Sequence, residues 1–276
     1  QATGTGIQKT LTSGADTFAF TTGNTHVDAL DGANTITGTS GNKLITSGGG
    51  ADTIALTAGN HQIYAGAGAN TITATTGNSI VVTGDGADTI TFTSGNHWID
   101  AGAGANTIVA TSGINYIITG DGVDTITVGD GVAIGDGFGN IIHAGDGANT
   151  IATGAGDDLV TGGNGVDTIT TGAGDDEVHA FNGANTITTG AGNDVVYTGI
   201  NVDTVALGAG DDTVHIKGGA DTIAGGTGND TLVVDFSAAL GAVSVNGLAG
   251  TAAAGYAGNI TGIGITTFAG IENFNI

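Results

Sequence analysis

An acid or an amide returns every eighteen residues among the same neighbours. Gly14-Ala15-Asp16-Thr17-Phe18, Gly32-Ala33-Asn34-Thr35-Ile36 and Gly50-Ala51-Asp52-Thr53-Ile54 open a series that reaches Gly122-Val123-Asp124-Thr125-Ile126. It resumes at Gly147-Ala148-Asn149-Thr150-Ile151 and ends at Gly219-Ala220-Asp221-Thr222-Ile223. Acids are not balanced by bases: the 276 residues hold 26 Asp and Glu against 3 Lys and Arg, a net charge of −23. Periodic carboxylates with so few counter-charges suit divalent cations, whereas nucleic acid and anionic membranes make poor partners. Strongly acidic chains are often disordered. Here 39% of the residues are hydrophobic, so there is apolar surface to bury, provided the charge is neutralised.

A second series runs nine residues out of step: Gly23-Asn24-Thr25-His26-Val27, Gly41-Asn42-Lys43-Leu44-Ile45, Gly95-Asn96-His97-Trp98-Ile99, Gly156-Asp157-Asp158-Leu159-Val160 and Gly228-Asn229-Asp230-Thr231-Leu232. The unit is therefore nine residues, and a full coil is eighteen with two unlike halves. Each nonad pairs a Gly-rich turn with a short strand of β-branched residues. One apolar side chain per nonad is expected to point inward: Phe18, Ile36, Ile54, Ile72 and Ile90 on one side, Val27, Ile45, Ile63, Val81 and Ile99 on the other. A single coil cannot bury its own face, so stability accumulates along the stack. The phase slips once. Gly147 follows Gly131 by 16 residues rather than 18, which predicts a shortened turn within Val132–Phe138, either a bend or a tolerated deletion in a loop.

Residues 162–170, Gly-Gly-Asn-Gly-Val-Asp-Thr-Ile-Thr, and 225–233, Gly-Gly-Thr-Gly-Asn-Asp-Thr-Leu-Val, both match the calcium-binding nonapeptide G-G-x-G-x-D-x-U-x. On these residues the chain resembles the RTX (repeats-in-toxin) family over most of 13–233. The resemblance implies an all-β fold, a right-handed parallel β-roll (a β-solenoid) of 18-residue coils. It also implies multiple Ca²⁺ ions between consecutive turns, held by the sixth-position Asp and turn carbonyls. Calcium takes six to eight oxygens, and carboxylates with backbone carbonyls supply them. Carried over position by position, the metal ligands are Asp158, Asp167, Asp176, Asp194, Asp203, Asp212, Asp221 and Asp230, with the neutral Asn185 in the same place. The competing role for these acids is the Asx-turn.

The N-terminal half departs from that pattern. One edge alternates Asp16, Asn34, Asp52, Asn70, Asp88, Asn106 and Asp124. Asp16, Asp52, Asp88 and Asp124 are its metal candidates, with fewer charges per site and hence weaker binding. The other edge carries Thr25, Lys43, His61, Ser79, His97 and Asn115. A Lys argues against an ion, so this edge is expected to be largely metal-free. His61 and His97 are two coils apart and are expected to be solvated turn residues. Along the chain, residues 1–232 form the roll, degenerate over 1–140 and with full calcium motifs over 145–232. Residues 233–276, with Phe268-Ala269-Gly270-Ile271-Glu272-Asn273-Phe274 near their end, resemble the non-repeat segment that follows RTX arrays, which implies a small C-terminal β cap packed over the last coil.

Two outward faces differ. One is a grid of Thr, with Thr35, Thr37 and Thr39, Thr71, Thr73 and Thr75, and Thr89, Thr91 and Thr93. It resembles the arrays of ice-binding solenoids, although Thr is also simply a good exposed strand residue. The other face collects Leu30, Leu44, Tyr64, Ile80, Val82, Trp98, Tyr116 and Ile118. Leu44, Tyr64, Ile80, Val82, Trp98, Tyr116 and Ile118 are the interface candidates, for homo-assembly or for other domains of a longer chain. A glycan site on Tyr64, Trp98 and Tyr116, with Asp100 nearby, is the sharper alternative.

No catalysis is expected. The sequence has no G-x-S-x-G elbow, no H-E-x-x-H and no Cys. No apolar run is long enough for a membrane span. The missing initiator Met and leader suggest a fragment or a processed product. The expected function is a calcium-stabilised extracellular structural or surface-assembly protein with bacterial-type (type I) secretion. The alternatives are an ice- or glycan-binding module and the C-terminal array of a secreted enzyme.

Overall fold

The computed structural model describes residues 7–131, 137–235, 237, 244–251, 255–261 and 265–275. Most of the predicted shortened turn, residues 132–136, lies outside them. Every described element is a β-strand or an isolated bridge, and the chain is a parallel-strand solenoid of about 12 coils of ~18 residues, a β-helix. It divides into two compact units: residues 1–131 with 140–142, and residues 132–139 with 143–276.

In the first unit, alternate strands go to alternate sheets. One sheet holds Thr25–Asp28, Lys43–Thr46, His61–Gly66, Ser79–Thr83, His97–Asp100 and Asn115–Ile118; the other holds Thr35–Ser40, Thr53–Ala58, Thr71–Thr76, Thr89–Ser94, Thr107–Ala110 and Thr125–Val128. The register step along these strands is eighteen, with a slip at Gly66, which pairs with Thr83. Ile90 pairs with Ile72 on one side and Ile108 on the other. The period of two along each strand sends one β-branched residue in and its neighbours out. Ile36, Ile54, Ile72, Ile90, Ile108 and Ile126 from one sheet are fully buried, as are Val27, Ile45, Ile63, Val81, Ile99 and Ile117 from the other. Each such side chain adds roughly 1.5–3 kcal/mol relative to exposure. Phe18, at the start of its stack, is only half-buried.

The second unit repeats the scheme. Thr168–Ala173, Thr186–Ala191, Thr204–Ala209 and Thr222–Thr227 form one parallel stack, and Glu177–Phe181, Val195–Thr198, Thr213–Ile216 and Thr231–Val234 the other. Both stacks are then extended by the end of the chain. Ile265–Ile271 pairs parallel with Thr222–Thr227, and Asn273–Asn275 pairs parallel with Thr231–Val234. Gly255–Thr261 and Ser244–Thr251 complete an antiparallel meander beyond them. The final strands cover edges that an open solenoid would leave unpaired. Phe268 is buried there, edge-on to Phe274 at 5.1 Å between ring centroids.

Candidate metal sites along the turns

The repeating Asp residues close the turns from inside. In the second unit Asp158, Asp176, Asp194, Asp212 and Asp230 line one edge. The N–H of each of the first four donates to Oδ1 of the Asp one coil on, at 2.8–3.1 Å. On the other edge Asn149, Asp167, Asn185, Asp203 and Asp221 form the same ladder at 2.9 Å. One oxygen of each laddered carboxylate is thereby used. The other, Oδ2, is buried without a hydrogen-bond partner in Asp167, Asp176, Asp194, Asp203, Asp212, Asp221 and Asp230.

An orphaned, buried carboxylate oxygen costs free energy unless something positive faces it. Thr171 and Thr189 stand beside Asp176 and Asp194. Their hydroxyl protons, however, go to the carbonyls of Thr189 and Leu207, at 3.2 and 2.7 Å. Only lone pairs are left to face the acids. Burial consequently pushes the carboxyls up, to about 7 in Asp176 and Asp221 and to about 6 in Asp167, Asp203, Asp212 and Asp230.

The N-terminal edge shows what else meets these turns. Asp16, Asn34, Asp52, Asn70, Asp88, Asn106 and Asp124 make the ladder at 2.8–3.1 Å. In this column each Asn also has a donor. Asn34 Nδ2 bonds the carbonyls of Gly32 and Leu30, Asn70 those of Gly68 and Gly66, and Asn106 those of Gly104 and Gly102, at 2.9–3.3 Å. Turn carbonyls thus converge beside the sixth-position side chain. Where Asp replaces Asn, no such donor exists. Asp52 and Asp88 again bury an unpartnered Oδ2. Asp16 is different, since its Oδ2 accepts Thr12 N–H and Oγ–H, both at 2.7 Å, at an exposed position.

Among the described residues no three His, Cys, Asp or Glu side chains converge on one point. An ion at these turns would take carboxylates from neighbouring coils and draw its remaining oxygens from the turn carbonyls. An all-oxygen, partly anionic donor set of that kind fits Ca²⁺ better than a soft metal.

The opposite N-terminal edge corrects one expectation. His61 and His97 are not solvated turn residues. They are 2% and 3% exposed, with both ring nitrogens unpartnered, and burial lowers each to about 4. They take the inward register because the sixth position of the nonad points inward whatever residue occupies it. His97 stacks on Phe92 at 4.0 Å between centroids. Lys43, also buried, donates its ammonium to the carbonyls of Gly23 and Ser40 and lies 4.8 Å from the Phe20 ring centroid. A tethered cation there does what the Asn amides do on the other edge.

The interface candidates share one outward face of the first unit. Trp98 pairs with Ile80 and Tyr116, Val82 and Ile118 flank Asp100, and Tyr64 pairs with Val82. Leu44 lies in the Ile80 column, separated from it by Gln62. Tyr64, Ile80 and Trp98 are exposed, and Leu44, Val82, Tyr116 and Ile118 are half-buried. Sequence reasoning missed three further features. An outer ladder joins Asn24, Asn42, Asn60, Asn78 and Asn96 at 2.9–3.0 Å. His179, Tyr197 and His215 stack in register at 4.6 and 4.5 Å. Glu272 and Thr266 accept the last inner-ladder N–H groups, those of Asp230 and Asp221. Equal spacing was the available signal for the first two. The third breaks the spacing and has no such signal.

Fold and turn chemistry together define a β-solenoid whose coils present buried oxygens to cations. The family model of the RTX calcium-binding nonapeptide repeat matches residues 28–60, 64–96, 100–132, 134–169, 143–178, 179–214 and 216–234. The chain belongs to that family, and calcium is the ion its repeats bind. Comparison with curated proteins gives no significant match.

Proposed function

We propose that the chain is a calcium-hardened, non-catalytic structural module that works outside the cell, in a surface layer, a matrix fibre or an adhesin. The observation that most supports this is the double column of buried carboxylates in the second unit, in which Asp167, Asp176, Asp194, Asp203, Asp212, Asp221 and Asp230 each bury an oxygen without a hydrogen-bond partner. Asp158, Asp167, Asp176, Asp194, Asp203, Asp212, Asp221 and Asp230 hold calcium between coils together with turn carbonyls. Asp52, Asp88 and Asp124 hold it more sparsely, because the alternating Asn residues satisfy their own turns. Asp16 is the weakest candidate, since Thr12 already occupies its free oxygen.

The mechanism is linkage. With 26 acids against 3 bases, the calcium-free chain repels itself and stays pliable for export. Outside, calcium binds the folded form. Each site with a dissociation constant one-hundredth of the ambient calcium adds about 2.7 kcal/mol. The apolar face around Ile80, Trp98 and Tyr116 then serves lateral assembly, with a second copy or another domain. Far-UV circular dichroism during a calcium titration, followed by electron microscopy of the loaded protein, tests this. The expected outcome is a β signal that strengthens and melts at higher temperature with calcium and is weakened by a chelator, with filaments or sheets in the loaded sample. A β signal and melting point indifferent to chelation at neutral pH would sink the calcium mechanism. Loaded protein that stays monomeric would sink the assembly role.

A second function is favoured by one observation. Outward Thr17, Thr35, Thr53, Thr71, Thr89, Thr107 and Thr125 pair in unbroken register, with ~4.8 Å between coils. Such a column suits ordered water at an ice surface. Thermal hysteresis of the calcium-loaded protein separates the two functions, since a structural module leaves ice growth unchanged.

A further inference from the structure

The inner ladder of the second unit does not stop at the last repeat. Asp212 N–H donates to Asp230 Oδ1, and Asp230 N–H in turn donates to Glu272 Oε2 at 2.8 Å. The next strand is in register, because Thr231 pairs with Asn273. Glu272 therefore stands where the next Asp of the column would stand, although it is 42 residues on rather than 18. The Asp230 carbonyl accepts the N–H groups of Glu272 and Asn273, at 3.0 and 2.8 Å, and so fixes the carboxylate in place. On the opposite edge the equivalent position is Thr266, whose Oγ accepts Asp221 N–H at 3.4 Å.

Two further observations point to an ion at this end. Asp230 is fully buried, and its Oδ2 has no partner. A Cβ placed on Gly225 would collide with both Asp230 Oδ2 and the Gly270 carbonyl oxygen, so these two oxygens face one small space that only glycine leaves open. Asp230 Oδ2 and the Gly270 carbonyl thus share a space where the cap joins the last coil, and the Glu272 carboxylate is bonded to the Asp230 backbone beside it.

We propose that Glu272 is a calcium ligand. With Asp230 and the Gly270 carbonyl it completes a terminal site, and the cap acts as one more calcium-binding coil on that edge alone. The opposite edge, ending in the hydroxyl of Thr266, has no matching site. This rests on the calcium reading above, and the experiment keeps the two apart. The ions bound at saturating calcium are counted by equilibrium dialysis for the wild-type chain, Glu272→Gln and Thr266→Val, with circular dichroism taken in the same buffer. Glu272→Gln keeps an oxygen for the Asp230 N–H but removes the charge. Thr266→Val loosens the other side of the cap without touching a carboxylate. The expected result is one ion fewer in Glu272→Gln, an unchanged count in Thr266→Val and an unchanged β signal in both. An unchanged count in Glu272→Gln overturns the proposal, as does an equal loss in Thr266→Val, which would trace the effect to cap detachment. A wild-type chain that binds no calcium would instead overturn the reading on which it rests.

Discussion

At the scale of single residues, the difference between Asp and Asn at one register position decides whether a turn is self-sufficient. Asn70 accepts the Asp52 N–H at 3.1 Å and returns its own amide protons to the carbonyls of Gly68 and Gly66. Asp212 accepts the Asp194 N–H at 2.8 Å and has no proton to return when ionised, and burial holds its carboxyl up at about 6. Asp212→Asn should therefore convert an ion-dependent turn into a self-satisfied one. In chelator at pH 7.5 the folded state should gain about 1–3 kcal/mol, read from the urea midpoint of the β signal. At saturating calcium the variant should bind fewer ions than wild type. A calcium count equal to wild type, or a lower urea midpoint in chelator, would show that Asp212 is not a ligand of this kind.

At the scale of elements, strand stacking at an eighteen-residue step forces each turn against the one before it. A Cβ on Gly104, whose φ is +127°, would run into the backbone carbonyl of Gly86, and backbone cannot move aside as a flexible side chain can. Gly104→Ala should cost about 2–5 kcal/mol, from the disfavoured dihedral and from overpacking. Gly137 has no heavy atom within 4 Å of the added carbon. Gly137→Ala should therefore stay within about 0.5 kcal/mol of wild type. Thermal melts of the two variants in calcium make the comparison, and similar melting points would contradict it.

The same rigidity explains what could be read without coordinates. Strands, inward Ile and Val, and the Asp columns all follow from a fixed period, because a solenoid coil sees the same neighbours at every step. His61 and His97 were legible as positions but not as environments, since polarity suggested solvent while the register sent them inside. Glu272 was legible as part of Gly-Ile-Glu-Asn, but its place in the ladder was hidden. The 42 residues between it and Asp230 break the period, and only the parallel pairing of Asn273 with Thr231 restores it.

At the scale of the whole molecule, metal-free stability is a contest between proton uptake by carboxyls and by imidazoles. Asp167, Asp203, Asp212 and Asp230 rise from 3.8 to about 6, and Asp176 and Asp221 to about 7. Between about pH 4 and 7 the folded metal-free chain thus binds more protons at these groups than the unfolded chain does. Stability from them is fully present near pH 4 and is lost as pH rises through the folded values, by up to about 1.4 kcal/mol per pH unit for each titrating carboxyl. His61 and His97 fall from 6.5 to about 4 and work the other way, favouring the folded state as pH rises over 4–6.5. The raised carboxyls outnumber them, so the net slope is downward. In chelator the melting temperature at pH 5 should exceed that at pH 7.5. In saturating calcium the order should reverse, because ions displace protons from the same carboxylates and bind best once those are ionised. A metal-free chain that melts higher at pH 7.5 than at pH 5 would mean that the acid columns are not what limits the fold.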